Sequence, residues 1–349
     1  MNIECPLPVP DGTSFPQGGQ EMAVPSMHRR VLPDLWGEGG RRPDRGLAFV
    51  WDSSFTRILP KNCVILLISA LLVFLVTGCG LKPAGVFEPG VAPVVVAEGF
   101  NFTEGPTVGP DGSLYFTEYR DGAIFRLSPG GRLSLYHEID CWPLGLSVKP
   151  DGSIAVCANK WHRIVSVAPD GTVTRHPDRY RGKLLNSPND CWADARGGIY
   201  FTDPRFVKLP EPIEQDGYHV YYIPPDGRTV IRAVDTLSMP NGVVGSPDGS
   251  HVYVIDNKPQ ETWRFTVRAD GSLADGEVFA PEGEDGLAVD DRGNVYIITG
   301  YGVAVYSPEG KKLDAIDIKG RPTNVAVGGP DGRTLYITAR KTVLAMRIR

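Results

Sequence analysis

The chain has 349 residues, of which 42% are hydrophobic, and it carries a formal net charge of −5. It is long enough to bury a substantial core, and the lack of a basic stripe argues against nucleic acid as a partner. Its 41 glycines and 31 prolines disfavour long helices and favour short strands joined by turns.

The first part of the chain is typical of an export leader. Residues 1–60 are rich in proline and glycine without hydrophobic periodicity, so we expect disorder or a segment upstream of the true translation start. Arg57 and Lys61 then precede an uncharged apolar run of about 17 residues. The run ends in Leu-Val-Thr-Gly before Cys79, which resembles the lipobox of bacterial lipoprotein signals.

This leader predicts where the protein is located. We predict a signal peptide over residues 61–79, lipidation of Cys79 and a short linker over residues 80–91. The protein would then be exported and anchored to a bacterial membrane on its periplasmic or cell-surface side. A transmembrane anchor in place of the lipid is the alternative.

The cysteines give no sign of a metal site. The sequence contains six, none in a CxxC pair and none at zinc-like spacing. Cys141, Cys157 and Cys191 are isolated within the body of the chain, and we expect buried thiols there. One disulfide among the three is the alternative for an exported protein.

Beyond the linker, one unit of turn and strand recurs six times. Each unit has a turn glycine followed by a strand rich in aromatic and β-branched residues. The turn glycines lie 39 to 52 residues apart, at Gly112, Gly152, Gly197, Gly249, Gly293 and Gly332. A period of this length with several strands per unit indicates a β-propeller. We predict an all-β fold over residues 92–349, with six four-stranded blades and a ring closed by Ala92–Glu98.

One position of the repeat is almost always an oxygen donor. Eight residues before each turn glycine stand Glu104, Leu144, Asn189, Asn241, Asp285 and Asn324. Equivalent positions at the start of the innermost strands surround one end of the channel, so these side chains should converge. Carboxylate and amide oxygens suit Ca²⁺, and the absence of His and Cys argues against zinc. The pattern predicts a site for a divalent cation; turn formation by Asn-Gly and Asp-Gly pairs is the alternative.

Five ordered motifs resemble the regucalcin/gluconolactonase (senescence marker protein-like) family of six-bladed propellers. The resemblance covers about residues 98–349. The motifs are Glu104-Gly105-Pro106 and the stretches Gly182–Pro204, Pro240–Asp256, Asp285–Tyr296 and Gly328–Thr338.

The resemblance implies a reaction and roles for individual residues. It implies hydrolysis of a small lactone, with a divalent cation, usually Ca²⁺, held by Glu104, Asn241 and Asp285. Asp285 is implied as the general base, and Asn189 as a ligand of the metal or of the substrate. Animal members carry an arginine where Ser187 stands, so a gluconolactone-like substrate is not implied as firmly as the reaction. Phosphotriester hydrolysis and a non-catalytic propeller that binds a ligand or a protein are the alternatives; the sequence does not indicate an oligomeric state.

Three further features have structural interpretations. Asp190 follows Asn189, and strand alternation would direct its side chain away from the channel into a structural hydrogen bond. Asp203 and Asp256 end second strands and are expected to stabilise their blades. The insertion Arg205–Gly217 accounts for the longest repeat, and we hypothesise that it is a lid.

Overall fold

The computed structural model describes residues 85–349. The predictions of a disordered or upstream segment over residues 1–60, a signal peptide over residues 61–79 and lipidation of Cys79 lie outside these residues, as does the start of the predicted linker over residues 80–91. Within residues 85–349, no helix is long and apolar enough to cross a membrane.

The described chain is built almost wholly of strands. Its one helical element is a single 3-10 turn at Asn159–Trp161. The strands in chain order are β1 (Val94–Val108), β2 (Leu114–Glu118), β3 (Ala123–Leu127), β4 (Leu133–Glu138), β5 (Pro143–Val148), β6 (Ile154–Ala158), β7 (Arg163–Val167), β8 (Val173–Arg175), β9 (Arg179–Tyr180), β10 (Lys183–Leu184), β11 (Cys191–Ala193), β12 (Ile199–Asp203), β13 (His219–Ile223), β14 (Ile231–Val234), β15 (Pro240–Gly245), β16 (His251–Asp256), β17 (Glu261–Val267), β18 (Leu273–Ala280), β19 (Leu287–Val289), β20 (Val295–Ile298), β21 (Gly302–Tyr306), β22 (Lys312–Asp317), β23 (Asn324–Gly328) and β24 (Thr334–Arg347).

The strands form five antiparallel sheets of blade size, and β9 and β10 add a two-stranded ribbon. Sheet I has six strands in the order β23-β24-β1-β2-β3-β4. Sheets II to V have four strands each, in chain order: β5–β8, β11–β14, β15–β18 and β19–β22. The fold is therefore an all-β propeller-like arrangement, as the repeat predicts.

The prediction of six separate blades is wrong in one respect: the structure has five sheets. The first and sixth repeats share sheet I because β1 and β24 both run through the boundary between them. The start of β1 pairs with the end of β24, with Val94 opposite Ala345, whereas its end pairs with β2. The register shifts between Glu98 and Thr103, where the chain passes from one pairing to the other.

The hydrophobic core lies between neighbouring sheets. Ala155 of sheet II packs with Phe201 of sheet III, and Tyr200 of sheet III packs with Val254 of sheet IV. Several middle strands are buried on both faces; every residue of β6 and β12 is buried. Packing of this kind fixes the sheets around a common axis, and the starts of their first strands meet at one end of it.

Candidate active site

The starts of the first strands are joined by a chain of hydrogen bonds that crosses from one repeat to the next. Each bond has its acceptor at, or next to, one of the six predicted positions. Four donors also lie there, and the other two, Thr117 and Thr202, lie on the second strands β2 and β12. The bonds are Thr117 Oγ1 to Leu144 O (3.1 Å), Gly145 N to Asn189 O (2.8 Å), Thr202 Oγ1 to Asn241 O (2.6 Å), Gly242 N to Asp285 O (3.0 Å), Gly286 N to Thr323 O (3.0 Å) and Thr323 Oγ1 to Thr103 O (3.0 Å). Backbone amides and threonine hydroxyls therefore connect the six predicted positions in one ring.

The residue after the oxygen donor is glycine in four of the six repeats, and close approach across the ring explains it. A Cβ on Gly145 would overlap with the Asp190 carboxylate, and a Cβ on Gly286 would overlap with the Asn324 amide. Neither glycine has a positive φ, so the requirement is space near the axis. In the third repeat this position is Asp190, whose side chain occupies the space that the glycines leave.

Asp190 lies in the buried cluster and was not predicted there. Its Oδ1 accepts a hydrogen bond from Cys191 N (2.9 Å), and its Oδ2 accepts bonds from Val243 N (3.3 Å) and Asn324 Nδ2 (3.4 Å). The expected structural hydrogen bonds are present, but the side chain does not point away from the axis. Burial raises the pKa of Asp190 to about 6.

Two predicted site carboxylates interact with Asp190 and with each other. Burial, followed by the charge of Asp190, raises the pKa of Glu104 to about 7. Burial, followed by the charges of Glu104 and Asp190, raises the pKa of Asp285 well above its usual value. Asp285 is half-buried: part of the residue contacts solvent at the mouth, and protein atoms surround the rest. Three acidic groups that repel one another form a strongly negative centre when they ionise.

Asn241 joins this cluster through Asp285. Its Nδ2 donates to Asp285 Oδ1 (3.0 Å) and to Glu284 O (3.2 Å). Both bonds use amide hydrogens, so the side-chain oxygen of Asn241 remains available to a ligand.

The remaining predicted positions join the site less directly. Asn189 is half-buried and enters the ring through its backbone; no hydrogen bond of its side chain to the other site residues is present. Leu144 is buried and apolar, so the second repeat contributes no donor. Within residues 85–349, no group of three or more His, Cys, Asp or Glu side chains is arranged to hold a metal ion. The structure thus shows the donors around one mouth without showing a formed metal site.

The comparison with known proteins adds the family. A model of the SMP-30/gluconolactonase/LRE-like region matches residues 102–341, well over half of the chain. The chain belongs to this family. The match contains Glu104, Asn189, Asn241 and Asp285, and it confirms the resemblance inferred from the motifs.

Relatives of this SMP-30/gluconolactonase-like chain agree with the assignment. A gluconolactonase of Zymomonas mobilis is 28% identical over 291 residues, which cover 73% of this chain and 81% of the relative. The crystal structure of a gluconolactonase from Xanthomonas campestris has a TM-score of 0.69 at 27% identity, covering 76% of this chain and 91% of the other. Regucalcin from Agrobacterium tumefaciens, a calcium-binding protein, shares the fold with a TM-score of 0.63 at 20% identity, covering 74% and 94%.

In this SMP-30/gluconolactonase-like chain, carboxylates at the ends of second strands position the site. Asp203 accepts hydrogen bonds from Asn186 N and Ser187 N, both at 2.8 Å, three and two residues before Asn189. Asp256 and Glu118 accept equivalent pairs of backbone bonds before Asn241 and Glu104. These contacts agree with the expectation that Asp203 and Asp256 stabilise their repeats.

Asp203→Ala is expected to destabilise the protein by about 2–5 kcal/mol, because it leaves two backbone N–H groups without acceptors in the interior. Urea unfolding followed by circular dichroism measures the loss. Asp170→Ala is the control: it removes the same group from an exposed turn and should leave the free energy of unfolding nearly unchanged. Equal losses of stability in the two variants would show that the hydrogen bonds of Asp203 do not stabilise the fold.

The insertion packs against the segment that leads to Asn189. Gln215 Nε2 donates to Lys183 O (2.9 Å), and Glu214 accepts from Leu184 N (2.7 Å). Glu211 lies 3.3 Å from His162 Nε2, and the other ring nitrogen of His162 bonds to Asn186 O. The insertion therefore lies at the end of the fold that holds the site, consistent with the hypothesis that it is a lid.

The three cysteines of the described chain are free and buried. Cys157 and Cys191 lie in one hydrophobic cluster between sheets II and III, and Cys141 lies in another. Burial raises the pKa of the Cys141 thiol to about 12. The prediction of buried thiols is confirmed, and no disulfide joins Cys141, Cys157 and Cys191.

Proposed function

We propose that this protein is a calcium-dependent hydrolase that opens a small lactone at the mouth formed by the first strands. The observation that carries the proposal is the buried set of Glu104, Asp190 and Asp285 beside Asn241, in a chain of the SMP-30/gluconolactonase-like family. The relatives named gluconolactonase support lactones as the substrate class.

The donor set fits a hard divalent cation. Glu104, Asn241 and Asp285 would hold the ion, with Asn189 as a further ligand of the ion or the substrate. All are oxygen donors, as Ca²⁺ prefers. Within residues 85–349, no ion pair joins Glu104 or Asp285 to a Lys, Arg or His side chain, so a bound cation would supply the missing positive charge. When bound, calcium acts as a Lewis acid that polarises the carbonyl of the substrate.

The side chains supply the other steps. A water molecule attacks the carbonyl carbon while Asp285 takes its proton; the ring C–O bond breaks, and Asp285 returns this proton to the leaving oxygen. Burial and the charges of Glu104 and Asp190 raise the pKa of Asp285 above its usual value, which makes Asp285 a stronger base than an exposed aspartate. Asn241 orients Asp285 through their 3.0 Å hydrogen bond. The Asn189 amide donates to a substrate oxygen.

We also propose that the functional ring has six blades, with sheet I serving as two. Phe116 of the first repeat and Tyr336 of the last pack in one hydrophobic cluster inside sheet I. The same kind of cluster joins each pair of neighbouring sheets. In this arrangement the strand over Ala92–Glu98 closes the ring by pairing with β24.

We propose that the protein is exported and tethered through lipidated Cys79. The described chain begins at the end opposite the site, where Phe87 pairs with Ile348 just beyond β24. A tether there would direct the mouth away from the membrane. Mass spectrometry of the N-terminal peptide from detergent-extracted protein tests this: a diacylglyceryl-modified Cys79 is expected, and an unmodified one contradicts it.

A substrate panel tests the proposed function. The full chain is assayed with calcium against neutral lactones, a phosphotriester and a linear carboxylic ester. The rate of lactone opening, measured by the release of protons, is expected to exceed the rates of hydrolysis of the phosphotriester and the linear ester. Preference for the phosphotriester would assign the site to that chemistry instead, and no turnover of any substrate would leave a non-catalytic propeller.

A further inference from the structure

A row of cationic side chains lies on the rim of the mouth, on the turns of sheet I and the segment that leads into it. All five are exposed. We call them the cationic arc: Arg120, Lys319, Arg321, Arg340 and Lys341.

Strand register places the arc beside the site. Arg340 is the Cα partner of Thr103, the residue before Glu104. Paired Cα atoms are about 5 Å apart and successive ones about 3.8 Å, so the Arg340 backbone is within about 10 Å of that of Glu104. Thr103 also pairs with Glu118, and Arg120 lies two residues after Glu118. Arg321 lies three residues before Asn324. The long side chains of these residues can therefore reach the mouth.

The arc differs from other cations at this end because it has no acidic partners. Lys160 pairs with Asp140 at 2.8 Å, and Arg232 pairs with Asp216 at 2.6 Å. Within residues 85–349, no ion pair involves a residue of the arc. The exposed carboxylates of Asp121 and Asp317 lie on the same turns, so the five cations leave an excess of positive charge on this rim, on a protein with a net charge of −5.

Aromatic rings lie next to these cations. The Arg340 guanidinium lies 5.9 Å from the centre of the Phe102 ring, and Phe102 contacts Tyr119, which contacts Trp142. Tyr301 is 83% exposed, and its carbonyl accepts a bond from Ile318 N, next to Lys319. A guanidinium held over a ring keeps its N–H edge free for a carboxylate or a phosphate. The rim thus offers ring faces and anion-binding groups together.

The negative interior of the site would slow the approach of an anionic substrate, and a positive rim would counteract this. When ionised, Glu104, Asp190 and Asp285 carry one more charge than a bound calcium ion, so they still repel an approaching anion. A rim of positive charge offsets that repulsion and raises the association rate. We propose that the cationic arc binds an anionic group, a carboxylate or a phosphate, carried outside the ring of the lactone substrate. This inference rests on the lactonase function proposed above and specifies its substrate class.

Matched substrates test the proposal. Glucarolactone carries a carboxylate where gluconolactone carries a hydroxymethyl group, and a phosphorylated gluconolactone is the second anionic probe. For the full chain with calcium, kcat/KM is expected to be about tenfold higher for one or both anionic lactones. The preference should shrink as salt is raised from about 0.01 M to about 1 M, because the screening length falls from about 30 Å to about 3 Å.

A double charge reversal locates the effect. Arg321→Glu combined with Arg340→Glu should lower the ratio of kcat/KM for the anionic to the neutral lactone by about tenfold or more. Arg292→Glu combined with Lys311→Glu makes the same charge change on turns of sheet V at the opposite end, and should leave the ratio unchanged.

The outcomes separate the two proposals. Gluconolactone turnover without any preference for the anionic lactones, or an equal loss on all substrates in the double variant, overturns the arc and leaves the lactonase function standing. If the double variant keeps the wild-type ratio of kcat/KM but binds anionic phospholipid vesicles more weakly than the wild type, the arc is a membrane-binding surface. That result also overturns the proposal. No turnover of any lactone overturns the lactonase function and the arc with it.

Discussion

Asp285→Asn is expected to lower kcat for lactone hydrolysis by about 10³-fold, the usual contribution of a positioned general base. The substitution keeps the shape of the side chain and its contact with Asn241 Nδ2, but it removes the group that accepts the proton from the attacking water. It also removes a negative charge that a bound cation needs. Initial rates at saturating calcium and substrate measure the loss.

Asp291→Asn is the matched control for this prediction. Asp291 is exposed on the turn between β19 and β20, six residues further along the chain and at the other end of sheet V. Its replacement should leave kcat unchanged. Circular dichroism of both variants checks that the fold is intact. A folded Asp285→Asn protein with rates close to those of the wild type would remove Asp285 from the mechanism.

Calcium is expected to raise the melting temperature much more at pH 8 than at pH 5.5. The pKa values of Glu104 and Asp190 are raised to about 7 and about 6, and that of Asp285 is raised well above its usual value. Raised pKa values mean that the folded chain holds these protons where the unfolded chain has lost them. Without calcium, this cluster therefore costs stability progressively from about pH 4, where the unfolded chain loses these protons, up to about pH 7. A cation binds the ionised form of the folded cluster, so its stabilising effect should grow as pH rises through about 6 and 7.

Thermal unfolding in chelator and in excess calcium, at both pH values, provides the measurement. The calcium-induced shift in melting temperature is the quantity to compare, because other titrating groups contribute equally to stability with and without the ion. The buried His176 and His219, whose pKa values are lowered by burial, are examples. Asp285→Asn should shrink the shift at pH 8. A shift of equal size at both pH values, or none at all, would contradict a cation site built on these carboxylates.

The repeat and the family motifs were enough to predict the fold class and the position of the mouth. Glu104, Asn241 and Asp285 were identified because one position of the repeat recurs at a fixed distance from a turn glycine. The sharing of sheet I was not predictable from that period. It depends on β1 and β24 running through the boundary between repeats, which is a property of strand pairing across the whole chain.

Asp190 was misplaced for a local reason. Strand alternation directs neighbouring side chains to opposite faces, but β11 begins only at Cys191, so Asn189 and Asp190 precede the strand. The register also shifts just after Glu104 and after Pro240 in the equivalent strands. The useful signal was the glycine that follows the donor position in four of the six repeats, since it marks space near the axis that Asp190 fills.

The cationic arc also required the structure. Arg120 is separated from Arg340 by most of the domain in sequence, and both lie next to Thr103 only through the pairing of β1 with β2 and β24. In the sequence these residues are isolated charges. Only the folded structure shows that they have no ion-pair partners.

The central claim is that the buried oxygen donors act on a lactone together with calcium. The most direct measurement is lactone turnover by the full chain after removal of divalent cations with a chelator, followed by titration with Ca²⁺. We predict that turnover is absent in the stripped protein and returns with calcium to a saturating level, and that Asp285→Asn prevents the return. Undiminished turnover in the stripped protein, or none after calcium is restored, would contradict the account.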